Sequence, residues 1–65
     1  MIEDVIIDIL ELSETKTYNL DSLAVFVGNE IDEDSEYIKQ IISEMIEDKR
    51  LTVINDTITI TEESS

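Results

Sequence analysis

The amino-acid sequence predicts an α+β domain in which three helices precede a C-terminal two-stranded β-hairpin. Three observations carry that expectation. Apolar residues recur at helical spacing near the amino terminus and again over residues 38–46, as on helices that bury one face. After Arg50 the pattern changes to β-branched residues alternating with threonine, the period of a strand. With only 65 residues, a chain buries about 60% of its unfolded surface and has material for one core, so a single domain is expected.

The first helix is expected over residues 2–13, where Ile2, Val5, Ile6, Ile9 and Leu10 form a stripe with Leu12 at its edge. Glu3 and Asp4 suit its positive N-terminal end. Ile7 falls outside the stripe among the acids, which makes it an exposed isoleucine or a contact for a partner or a second copy. Residues 14–19 read as a polar connection with a short extended piece near Thr15 to Tyr18. A second helix follows over residues 20–28, capped by Asn19 and stopped by Gly28. Leu20, Leu23, Ala24 and Val27 share one stripe, while Val25 and Phe26 point elsewhere. The helix is therefore either buried between other elements or uses Phe26 as a surface anchor.

The third helix is expected over residues 34–49, with Ile38, Ile41, Ile42, Met45 and Ile46 at strict helical spacing. It opens inside the stretch NEIDEDSEYI, which holds Glu30, Asp32, Glu33, Asp34 and Glu36 without a cation. Acids at its start and Lys49-Arg50 at its end both complement the helix dipole, so part of the charge pattern is local helix physics. The hairpin is expected over residues 51–61, turning at Asn55-Asp56, two residues that tolerate positive φ. That turn pairs Val53 with Ile58 and Leu51 with Ile60, placing four apolar side chains on one face and Thr52, Thr57, Thr59 and Thr61 on the other. Residues 62–65 are expected to fray.

Three helices with a hairpin directly after the third resemble a winged-helix domain. The segment IISEMIEDKRLTVINDTITITEE is similar to that family's passage from its third helix through a charged helix end into the wing. The resemblance spans residues 2–61 and rests on apolar patterning. It implies that the solvent face of the third helix, here Glu36, Lys39, Gln40, Ser43, Glu44 and Glu47, and the tip Asn55-Asp56 would be the DNA-contacting parts. Their charge departs from that use. Seventeen acids stand against four cations, a net charge of -13, and affinity for nucleic acid comes from cations that neutralise phosphates. No direct contact with nucleic acid is expected, and none with anionic membranes.

Catalysis and metal binding have little to work with. There is no cysteine, histidine, tryptophan or proline, which removes disulfides, thiolate chemistry and imidazole as ligand or base. Asp32, Asp34 and Glu36 imitate the first half of a calcium loop, but Tyr37 stands where glycine is required and Ser43 where the bidentate glutamate belongs. Paired carboxylates acting as acid and base need a cleft that a chain this short has little room to form. No enzyme, cofactor or metal is expected. The acidic start MIEDVIID is unlike a basic signal-peptide start, and no apolar run nears the roughly 20 residues of a membrane span. A soluble, cytoplasmic protein is expected.

A halophilic origin would also explain acidity. Twelve isoleucines beside one alanine, one glycine and one arginine instead suggest an AT-rich gene, unlike the GC-rich genomes expected of most extreme halophiles. The remaining expectation is protein binding. Small size, acidity and the winged-helix pattern are similar to the small acidic proteins by which bacteriophages and other viruses divert host machinery. A basic nucleic-acid-handling host protein, such as RNA polymerase, a nucleoid protein or a nuclease, would then be the partner. Glu33, Asp34, Glu36, Gln40, Glu44, Glu47 and Asp48 would recognise it, in the strongest form by imitating DNA. By area scaling the surface is about 4,200 Å², or one net charge per about 320 Å², against about 110 Å² for duplex DNA. Only local clusters could approach DNA. The competing expectation is a winged-helix adaptor, or a dimeric transcription-associated factor, that uses exposed apolar residues such as Ile7, Phe26, Tyr37 or Ile54 and does not imitate DNA.

Overall fold

The computed structural model describes residues 1–61. Three helices and three strands follow in the order α1 (Ile2–Leu12), β1 (Thr17–Asn19), α2 (Leu20–Ile31), α3 (Ser35–Glu47), β2 (Leu51–Ile54) and β3 (Thr57–Ile60). The architecture is α+β, with the helices packed on an antiparallel sheet of strand order β1-β3-β2. The expected fraying of residues 62–65 lies outside the described residues.

The sheet has one strand more than the sequence suggests. β1 is three residues long and pairs with β3, Tyr18 opposite Ile58. Its start is set by a tight turn: the Lys16 amide donates to the Ser13 carbonyl at 3.2 Å, and Lys16 adopts φ 61°. The Ser13 hydroxyl donates to the Thr17 carbonyl, and the Thr59 hydroxyl donates to the Lys16 carbonyl. On the other side β2 pairs with β3 in the anticipated register, Val53 opposite Ile58 and Leu51 opposite Ile60. Asn55 and Asp56 make the turn at φ 50° and 62°, the left-handed pair that matches strand twist. The tip is also tied down, because the Leu20 amide donates to the Asp56 carbonyl at 2.8 Å.

In the row Tyr18-Ile58-Val53, only the central residue is fully buried. Val53, expected on the buried face, is 40% exposed, since the helices cover the middle strand and leave the edge strands partly open. The core joins Ile6 and Leu10 of α1, Leu23, Ala24 and Val27 of α2, Ile38, Ile41, Ile42 and Met45 of α3, and Leu51 and Ile58 of the sheet. Burying each large side chain contributes about 1.5–3 kcal/mol. Ile7, expected among the solvent-facing acids, is half-buried and packs against this core. α1 touches α2, α3 and β3, so its covered arc is wider than one stripe.

The second helix does not stop at Gly28. It runs on to Ile31, and Asp32 at φ 58° provides the left-handed cap. The Glu33 amide then donates back to the Gly28 carbonyl at 2.8 Å, closing the end as a six-residue Schellman bond. The return path brings the Glu33 carbonyl over Gly28, where a Cβ would lie 2.6 Å from that oxygen. Glycine is needed there for close approach, not as a stop. α3 starts one residue later than expected, after Asp34, whose carboxylate accepts from the Glu36 amide at 3.0 Å. It ends at Glu47 rather than Lys49. The Lys49 amide reaches the Ile46 carbonyl and the Arg50 amide the Met45 carbonyl, with Lys49 left-handed at φ 65°. Lys49 and Arg50 thus close the helix with their backbone.

Two substitutions test these turns by urea denaturation. Gly28→Ala would favour an ordinary helix by about 1 kcal/mol, but here the clash with a backbone oxygen reverses the sign, with an expected net loss of about 1–3 kcal/mol. Lys49→Gly removes the left-handed strain and is expected to stabilise by about 1 kcal/mol.

Candidate functional site

Helical rotation sorts α3 into two faces. Ile38, Ile41, Ile42 and Met45 point into the core, and Glu36, Gln40, Ser43, Glu44 and Glu47 form the opposite, exposed face. Glu33 and Asp34 precede it and Asp48 follows, all exposed. The sequence-predicted acidic residues therefore extend along one helix and its two ends, over about 20 Å at the α-helical rise. Glu44, Glu47 and Asp48 also share a shallow depression with Glu3 of α1 and with Arg50.

Two cations border that face, Arg50 in the depression with Glu44, Glu47 and Asp48, and Lys39 beside Glu36. The Lys39 ammonium lies on its flank, 2.9 Å from the Asp21 carboxylate of α2 and 4.0 Å from Glu36. The hydrogen bond and the charge of Asp21, more than Glu36, raise the Lys39 pKa above its ordinary 10.5. The pair ties α2 to α3 on the surface, where solvent screening keeps its contribution small. The Lys16 ammonium is turned elsewhere, donating to the Glu11 carbonyl at 2.6 Å at the end of α1. Among the described residues no group of three or more His, Cys, Asp or Glu side chains converges as a metal site. No helix there is long and apolar enough to cross a membrane.

The apolar candidates separate. Tyr37 and Ile54 are exposed at 46% and 64%, on α3 and β2, and Ile7 is half-buried. Phe26, 43% exposed, belongs to a larger feature that the sequence did not disclose. Val5, Ile9 and Leu12 of α1, Tyr18 of β1 and Phe26 of α2 line an open groove of about 440 Å³, with Asp8 and Glu30 also in its wall. The Tyr18 and Phe26 rings meet at 6.1 Å between centroids, tilted by 57°, a favourable aromatic geometry. Leu12 is 85% exposed. The signals in the sequence were the position of Leu12 at the edge of its stripe and the short extended piece expected near Thr15 to Tyr18, which the structure forms as β1 over Thr17–Asn19 and pairs with β3, bringing Tyr18 in.

The chain matches no family model, no curated protein and no solved structure.

The Lys39 ion pair gives a signed prediction. A raised folded pKa means that its stabilisation is complete below the unfolded value near 10.5 and is lost as pH rises through the higher folded pKa. An NMR titration of the Lys39 side chain is expected to place its midpoint above 10.5, and Asp21→Asn to lower that midpoint. An unmoved midpoint would dissociate the two groups in solution.

Proposed function

We propose that this chain is a winged-helix module that binds a basic, nucleic-acid-handling protein through the acidic face of α3. One observation carries the reading. The exposed face of a helix that follows a three-residue turn from α2, Asp32–Asp34, presents Glu36, Glu44 and Glu47 with Asp48 beside them, and its only flanking cation on the helix is engaged by Asp21. The α2-turn-α3 pair, followed directly by antiparallel β2 and β3, supports the winged-helix part. In such a module α3 is the element that would enter the major groove. Here carboxylates would meet phosphates, so Coulomb repulsion opposes DNA and the same surface favours a protein that carries DNA's complement.

Charge density limits how literally DNA is imitated. A surface of 4604 Å² shared by 13 net negative charges leaves about 350 Å² for each, roughly three times the area per charge of duplex DNA. Recognition therefore rests on the clustered face and its ends. By size, charge and pattern the nearest analogy remains the small acidic phage proteins that bind host RNA polymerase, nucleoid proteins or nucleases. In that setting the chain acts in the host cytoplasm as an inhibitor that occupies a basic groove.

The test uses purified candidate partners of these three kinds, titrated with the chain at low and at physiological salt. Binding is expected to weaken with salt, to compete with duplex DNA, and to drop about tenfold in Glu44→Lys/Glu47→Lys. Both positions are exposed, so the variant's melting temperature is expected to hold or rise. Salt-independent binding that tolerates DNA on the same partner would overturn the reading.

A further inference from the structure

The groove between α1 and α2 has its own chemistry, separate from α3. Val5, Ile9 and Leu12 follow one another at i, i+4 and i+7 along α1, so its apolar wall extends about 10 Å, or two helical turns. Phe26 and Glu30, one turn apart on α2, make the facing wall, and Tyr18 closes one part of it. Two walls formed by helices, with large apolar side chains between them, match the way an amphipathic helix is held by its own i, i+3, i+4 and i+7 anchors.

Charge selects among occupants. Among the described residues, the only charged ones lining the groove are Asp8 and Glu30, in a chain of net charge -13. A second copy docking groove to groove would set these acids against their own images, and an anionic lipid surface would be repelled. An apolar helix flanked by lysine or arginine satisfies both the floor and the rim. We infer that the groove between α1, β1 and α2 is a docking site for a cationic amphipathic helix of a partner protein, with Leu12 and Phe26 as apolar anchors and Asp8 and Glu30 as its charge contacts.

The probe is a fluorescein-labelled synthetic helix of about four turns, with leucines at i, i+3, i+4 and i+7 and lysines on the remaining face. Its control keeps the leucines and replaces lysine with glutamate. Anisotropy should show saturable binding of the lysine helix and none of the glutamate helix. Amide shifts in the full chain should concentrate at Val5, Leu12, Tyr18 and Phe26. Leu12→Asp and Phe26→Ala should each weaken binding by about tenfold, and Glu30→Lys should weaken it too. Leu12→Asp is the sharp variant because it adds negative charge: a contact made by charge alone would tighten.

The α3 variant Glu44→Lys/Glu47→Lys separates this inference from the function proposed above and should change helix binding less than twofold. The groove assignment is overturned if binding follows that variant, if the shifts map to α3, or if the glutamate helix binds equally. No binding of the lysine helix overturns it as well. So does a dimer, detected by sedimentation, that Leu12→Asp dissolves, or capture by phosphatidylserine vesicles that Leu12→Asp abolishes.

Discussion

The contact on which the rest of the molecule depends is between backbone atoms. The Glu33 carbonyl passes so close above Gly28 that a Cβ would stand 2.6 Å away, and the Glu33 amide bonds to the Gly28 carbonyl beneath it. This fold-back lets Asp34 start α3 only three residues after α2 ends. Short separation sets the last turn of α2 beside the first turn of α3, and Leu23, Ala24 and Val27 share the core with Ile38, Ile41, Ile42 and Met45 of α3. Once those faces turn inward, helical rotation leaves Glu36, Glu44 and Glu47 outside. The orientation of the acidic face thus follows from a glycine on the preceding helix.

The same turn shows what helix electrostatics leaves unexplained. Asp34 caps α3, and Glu36 lies in its first turn, where negative charge is favourable. Asp32 and Glu33 have the opposite relation to α2, whose carbonyl end they follow. Each such placement costs about 0.3–1 kcal/mol at low ionic strength. Asp32 tolerates the left-handed geometry, since a short polar side chain does so better than most, but asparagine or glycine would serve without the charge. Local structure therefore accounts for some of these acids and is indifferent or opposed to others. The stability that holds this arrangement comes from the apolar core, because the only side-chain ion pairs among the described residues involve Lys39 and are exposed to solvent.

Elements dominated by one regular pattern were readable in advance. The stripes of α1 and α3, the Asn19 cap, which accepts from the Ser22 amide, and the β2-β3 register each follow from a period or a turn chemistry that neighbours reinforce. The end of α2 was not, because glycine within a helical pattern signals both a stop and a close approach, and only the path of Glu33 decides between them. β1 was blurred for a different reason. Its three residues form a strand by borrowing an edge of β3, a partner nearly forty positions away, and local propensity carries little of that information. Ile7 was misplaced because one helix can be covered on more than one side. The acidic face was legible residue by residue, since rotation about a single helix suffices. The groove was not, because its walls come from three elements and its depth exists only after they pack.

Two surfaces with unlike physics have unlike powers of discrimination. Clustered carboxylates act over about a Debye length, near 8 Å at physiological ionic strength, and raise the rate of encounter with any basic body. They have no directional requirement strict enough to separate one basic protein from another. Apolar contacts act only at touching distance, and they lengthen residence through shape. On a chain with no tryptophan and a single phenylalanine, the means for such contacts are few, and Leu12, Phe26 and Tyr18 gather them beside two acids. Charge on α3 would then define the class of partner, while the groove would choose a member within it. A 65-residue chain has room for both because they sit on different elements: the acids project from the side of α3 that packing leaves open, whereas Leu12 and Phe26 stand exposed above Val5, Ile9 and Tyr18, which pack against the core.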